Sequence, residues 1–274
     1  MKIASFWNAG RLRNMETLCL ASWLEIGAEV DLYHFGPVDG VPKGVNLRPA
    51  SEILSQDYMV RLMPVLRPER SVWQPVVNYS DLFRVKLMER NAGLWLDCDV
   101  LLFRPFAFDP AKPFFAWEDH HRIGSPVFYL PPDSPMIADY LQVLDSPDLM
   151  PHWLGLKRGF LRPTIWRLQG KEFSPPDLGI TIYGNDAFSR LARKHRLLRH
   201  ALPRQAFYCW NADETKRFYM PGAPGIEHDP SIIGLHIHHK PHGLPRPDPA
   251  SLYGRMLAKL AHRLPDLHWA EQAG

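Results

Sequence analysis

The chain lacks the glycine fingerprints that open the commonest nucleotide-binding folds. The polar loop from Asn8 to Asn14, just after the first apolar segment, contains no G-x-G-x-x-G, and no G-x-x-x-x-G-K-[ST] occurs at any position. A dinucleotide cradle and a P-loop are therefore excluded as sources of phosphate binding. Cysteine is equally sparse. Cys19, Cys98 and Cys209 are odd in number and have no metal-ligand spacing, which argues against a disulfide framework or a cysteine zinc site and for a reducing compartment. No apolar run is long enough to span a bilayer, and the start, Met1 to Trp7, is broken by Asn8 and Arg11 too early for a signal peptide. A cytoplasmic protein is expected.

Proline, by contrast, is abundant. Its 27 copies in 274 residues are about twice the ordinary ~5 % share, so many loops should join short elements. The length suits a single large domain, expected over 1–245, with an amphipathic helix and tail over 246–274 packed back on it. The formal charge of +3 is small but uneven: from Lys157 to Arg204 there are eleven Lys and Arg against Glu172, Asp177 and Asp186. That half either meets something anionic or is a solvated basic face. Trp153, Phe160 and Trp166 among the charges favour a peripheral contact with an anionic membrane, at its inner face, over nucleic acid, for which no reading motif is present.

The opening pattern is β-α-β. Lys2 to Trp7 reads as a strand, Met15 to Ile26 as a helix closed by Gly27, and Ala28 to Phe35 as a second strand, the signature of a mostly parallel sheet flanked by helices. Gln56 to Gln74 is broken by proline, and a lid is one guess for it. Asn78 or Ser80 is expected to cap a helix with Asp81 in its first turn and Arg84 on the same face. Such a pair is either a capping acid with a surface ion pair or part of a site. After the turn Asn91-Ala92-Gly93 comes Leu94-Trp95-Leu96-Asp97-Cys98-Asp99-Val100, a buried strand whose two acids, two residues apart, leave on one side while Cys98 turns away. Two carboxylates so placed suit one hard cation at the strand-end crevice of an α/β sheet.

Further strands are expected at Phe114 to Trp117, Val127 to Leu130, Ile180 to Tyr183, Phe207 to Trp210 and Ile232 to His238, with helices from Ser134-Pro135, Asn185 to His195 and Pro249 to Leu264. Glu118 and Asp119 could orient a substrate or simply face water. Among His236, His238, His239 and His242, only His236 and His238 share a side of a strand, which suits one oxygen-rich site taking a single histidine better than zinc.

Asn78-Tyr-Ser-Asp-Leu-Phe-Arg-Val followed by Gly93-Leu-Trp-Leu-Asp-Cys-Asp-Val resembles the sugar-binding DxD region of retaining GT-A glycosyltransferases, as in the family 32 enzymes, the globotriaosylceramide-synthase type and the clostridial glucosylating toxins. Phe6-Trp7-Asn8-Ala-Gly10 looks like that group's opening, and Leu235-His236-Ile-His-His-Lys240 like its closing histidine motif. The resemblance implies a GT-A-type, Rossmann-like mixed α/β sheet flanked by helices in one domain. It also implies a retaining, metal-dependent hexosyltransferase acting in glycan or polysaccharide assembly. In that group's pattern Asp97, Asp99 and His236 hold Mn²⁺ or Mg²⁺ on the diphosphate of a nucleotide sugar, a UDP-sugar for preference. Asp81 and Arg84 hold the donor sugar and diphosphate, Trp7 and Asn8 receive the nucleoside, and the acceptor is a glycan or lipid-linked sugar. The chain departs from the pattern at Ile123-Gly124-Ser125-Pro126 and Gly184-Asn185-Asp186, both around the acceptor. A non-catalytic nucleotide-sugar-binding module and a metal-dependent sugar-phosphate hydrolase are the alternatives. The intact acids and arginine speak for catalysis, and the lack of a second acid-rich metal set speaks against the hydrolase.

Overall fold

The computed structural model describes residues 1–238 and 246–269. His239 and Lys240 of the closing motif, and His242 after it, lie outside the described residues. In chain order the first elements are β1 (Lys2–Phe6), β2 (Gly10–Arg11), α1 (Asn14–Glu25), β3 (Glu29–His34), β4 (Val38–Asp39) and β5 (Val45–Pro49). There follow α2 (Asp57–Arg61), α3 (Gln74–Glu89), β6 (Leu94–Leu96), β7 (Val100–Leu102), β8 (Phe114–Trp117) and β9 (Ile123–Tyr129). The last are α4 (Pro135–Leu141), α5 (Arg162–Leu168), α6 (Asn185–Lys194), α7 (Gln205–Tyr208), β10 (Gly234–His236) and α8 (Leu252–Leu260). The chain forms two compact units, one of 1–48, 94–108 and 202–274, the other of 49–93 and 109–201.

The first unit is mixed α/β with a parallel sheet, as the β-α-β opening demands. Strands run in the order β5-β3-β1-β6, with β1 parallel to both neighbours (Phe6 opposite Tyr33, Ala4 opposite Trp95). Helix α1 is buried nearly all round, from Met15 to Leu24, because elements cover it on more than one side. Within the core, Trp23 Nε1 donates to the Val100 carbonyl at 2.7 Å and Ser22 Oγ accepts from the Leu102 amide at 3.0 Å, so a polar atom on each residue is satisfied where α1 meets β7. Leu252, Tyr253, Met256 and Leu260 of α8 join the same cluster as Met15, Leu18 and Leu235. Each such fully buried side chain contributes roughly 1.5–3 kcal/mol. Across from β7 lies β10, antiparallel, with His236 opposite Val100.

The second unit pairs β8 with β9 antiparallel and surrounds them with helices. Its core is a run of rings: Phe115 to Phe128 at 5.6 Å, Phe128 to Phe188 at 4.2 Å, Phe188 to Tyr140 at 5.6 Å and Tyr140 to Trp153 at 4.8 Å. Several segments differ from expectation. Ile180 to Tyr183 is a turn, buried at Ile182 and Tyr183, rather than a strand: its carbonyls accept from side chains, Asn78 to Ile180, Trp153 to Ile182 and Tyr140 to Tyr183. Phe207 to Trp210 is entered by α7, since a short apolar run carries no period that separates helix from strand. Helix α3 begins at Gln74, so Asp81 sits in its middle and not its first turn.

Candidate functional site

The acids at the end of β6 are not on a strand. Leu94–Leu96 is buried on every residue, but Asp97 to Asp99 form a turn closed by the Val100 amide on the Asp97 carbonyl at 3.0 Å, after which β7 resumes. Strand alternation therefore does not place the two carboxylates; the turn does. Cys98 points the other way as expected, its buried thiol 3.1 Å from Ser5 Oγ on β1, and burial pushes its pKa up. The Asp97 carboxylate accepts from Trp95 Nε1 at 2.5 Å. The Asp99 carbonyl accepts from the Ile237 amide at 3.0 Å, which ties the turn to the end of β10.

That tie, with the β7–β10 ladder, brings in a residue 137 positions downstream of Asp99: His236 Nε2 lies 3.4 Å from Asp99 Oδ1. One ligand atom from each of Asp97, Asp99 and His236 lies within 4.8 Å of the others, and no further group of this kind occurs among the described residues. Asp99 and His236 are buried and Asp97 half-buried. The set fits a divalent cation. Its donors are two carboxylates and one imidazole, bonds of about 2.1 Å would place opposite ligands about 4.2 Å apart after a small rotation of the side chains, and the buried His236 Nδ1 has no hydrogen-bond partner among the described residues. β10 ends at His236, short of the strand expected to reach His238; His238 follows it, its ring centroid 4.1 Å from that of His236.

Because β1 and β6 are parallel neighbours, Trp7 and Asn8 leave the same sheet edge as Asp97 and Asp99. Trp7 Nε1 is buried without a hydrogen-bond partner among the described residues, while the Asn8 carbonyl accepts from the Phe35 and Gly36 amides. Two groups near this edge were not read from the sequence. Arg13, at the start of α1, pairs with the buried Glu16 through the Nε–Nη2 edge of its guanidinium, and Glu16 feels the Asp99 charge; burial, partly offset by Arg13, raises the Glu16 pKa. The signal was present as a charge pair three apart opening a helix.

Asp81 and Arg84 belong to the second unit. They form a buried ion pair, Arg84 Nη2 to Asp81 Oδ1 at 3.2 Å, and not the surface pair that spacing allowed. Arg84 also donates to the Ser80 carbonyl at 3.2 Å and to the Ser125 carbonyl, and its guanidinium lies 5.9 Å from the Phe188 ring centroid. Gly184 fits against the Asp81 carboxylate so closely that a Cβ there would stand 2.7 and 2.8 Å from its oxygens. Asn78 donates to the Ile180 carbonyl and Ser80 to the Val77 carbonyl, so neither caps the helix. Glu118 accepts from Asn185 Nδ2, whereas Asp119 closes a turn on His121 and Arg122.

The chain matches no protein-family model and no curated protein sequence. Among solved structures it is similar to the PaToxG glycosyltransferase, with 11% identity and a TM-score of 0.42 over 70% of this chain and 68% of that one.

Proposed function

We propose that this protein is a metal-dependent retaining glycosyltransferase of the GT-A type, taking its sugar from a nucleoside diphosphate donor, a UDP-sugar for preference, and passing it to a glycan or lipid-linked acceptor. The observation that carries the reading is the convergence of Asp97, Asp99 and His236, from two distant stretches, at the edge where β1 delivers Trp7 and Asn8. In an open α/β sheet that edge is the ligand crevice. Asp97, Asp99 and His236 would hold Mn²⁺ or Mg²⁺, which when bound neutralises charge on the departing diphosphate.

The chain's own residues supply orientation. Trp95 fixes the Asp97 carboxylate through its indole N–H, and the Ile237 amide fixes the Asp99 backbone. The buried indole N–H of Trp7 is a donor suited to a carbonyl or phosphate oxygen of the nucleotide. In this reading Asp81 accepts from sugar hydroxyls, and Arg84, whose donors are turned on Asp81, Ser80 and Ser125, positions Asp81 in place of gripping phosphate itself. Retention of configuration needs no dedicated enzymic base, and none is assigned.

Thermal unfolding with a panel of nucleoside diphosphate sugars, with and without Mn²⁺, tests the reading. A UDP-sugar should stabilise the protein only with the metal, and slow release of UDP should follow. Stabilisation that is independent of metal, or that survives intact in Asp99→Ala, would overturn the assignment. Metal-dependent stabilisation without UDP release under any acceptor would leave the binding module as the better description.

A further inference from the structure

The helical segment from Leu156 to Leu168, a π-helical stretch (Leu156–Leu161) running into α5, turns apolar side chains outward. Leu156 is 70% exposed, Phe160 61% and Leu168 83%, with Leu161 and Ile165 also exposed between them. Leu156, the Phe160-Leu161 pair, Ile165 and Leu168 recur every three to five residues and make one stripe along the segment. Isolated exposed apolar residues are ordinary, but a continuous stripe on a helix is not.

Basic groups accompany the stripe. Lys157, Arg162, Arg167 and Lys171 have no carboxylate partner among the described residues; Arg162 lies 5.7 Å from the Trp166 ring centroid and Arg167 5.4 Å from that of Phe173. A second apolar stretch adjoins it. Val65 lines the same concavity as Arg167, Lys171 and Phe173, where Asp148 and Glu172 also stand, and is held there because the Val65 and Leu66 amides each donate to Asp177 at 3.0 Å. Val60 and Val72 of that stretch are also exposed.

We infer that this face of the second unit docks on an anionic lipid bilayer, the apolar stripe entering the headgroup region and the unpaired basic side chains meeting lipid phosphates. The charge decides for lipid over another protein surface. Lys and Arg stems lie along apolar surface while their heads reach anionic groups, and Trp166 and Phe160 suit the headgroup level. A second copy of this chain would oppose the same positive charges to themselves. The inference is independent of the glycosyltransferase reading, since neither donor nor metal enters its test.

The test is co-sedimentation of the whole chain with phosphatidylcholine vesicles, with and without phosphatidylglycerol. Binding to the mixed vesicles alone, weakened by added salt, is expected. The double substitution Phe160→Ser and Leu168→Ser should reduce the partition coefficient by about tenfold or more. Lys157→Glu with Arg167→Glu should abolish the preference for phosphatidylglycerol. Both positions of the first variant are exposed, and an unchanged thermal melt shows that the fold is kept. No binding at low salt, equal binding to both vesicles, or unaltered binding by the Ser variant overturns the inference. So does a dimer in sedimentation velocity that the Ser variant dissociates.

Discussion

Two clusters of aspartate and histidine, one in each unit, show how little residue type alone says about role. In the second unit Asp139 is met from three sides: Lys194 Nζ at 2.8 Å, His195 Nε2 at 2.6 Å and His152 Nε2 at 2.9 Å. Burial would raise its pKa, but the hydrogen bonds from Lys194, His195 and His152 win and hold it down at about 2. In the first unit Asp97 and Asp99 converge on one histidine, with Arg13 near enough to feel the Asp99 charge. The first arrangement ties α4 to α6; the second brings together ligand atoms that could hold a divalent cation. A carboxylate met by cations of its own fold is a structural knot, whereas the acid pair gathered at the sheet edge is the candidate site.

The largest expected effect separates the two. Asp99→Ala or Asp97→Ala should lower metal-dependent donor turnover by about 10²–10³-fold and abolish the Mn²⁺-induced rise in melting temperature. Asp139→Ala should leave turnover per folded molecule unchanged but lose about 2 kcal/mol in urea unfolding, because Lys194 and two histidines lose their acceptor. Equal losses of turnover in both variants would break the comparison.

Gly184→Ala comes next. The new Cβ would meet the Asp81 oxygens at 2.7 to 2.8 Å, so a cost of about 1–3 kcal/mol from overpacking is expected, with weaker donor binding if Asp81 holds sugar. Calorimetry with the UDP-sugar separates the two losses, and donor affinity unchanged in a destabilised variant would remove Asp81 from the donor site.

The smallest effect is a pH dependence. Asp139 has a folded pKa below its unfolded one, so its stabilisation is complete above the ordinary carboxylate range and fades as pH falls from about 4 toward about 2. After screening by the solvent that reaches His152 and Lys194, the change should be on the order of 1–2 kcal/mol. Acid unfolding curves of the wild type and Asp139→Asn should differ in slope over that interval; superimposable slopes would show that the knot is electrostatically silent.

Much of the fold was legible in the residues. The strand Lys2–Phe6, helix Asn14–Glu25, strand Glu29–His34, buried Leu94–Leu96 and helix Asn185–Lys194 all lie within a few residues of where period and caps put them. Those stretches have a single dominant period, and burial agrees with it. Legibility failed where a side chain elsewhere took over a backbone group. Ile180 to Tyr183 has strand-like composition, yet Asn78, Trp153 and Tyr140 satisfy its carbonyls in place of a neighbouring strand. The extra turns at the start of α3 were hidden by Pro75, which reads as a breaker but is accommodated at the head of a helix.

By itself the sequence determined that Asp97 and Asp99 follow a buried strand, because the apolar run Leu94 to Leu96 is a local signal. Only the tertiary structure decided that the acids lie on a turn, that the β7–β10 ladder brings His236 to them, and that Asp81 and Arg84 are buried together beneath Gly184. The physical reason is range. Backbone periodicity fixes the direction of a side chain over a few residues, whereas the company it keeps depends on hydrogen-bonded and packed partners far away in the chain, which no local pattern encodes.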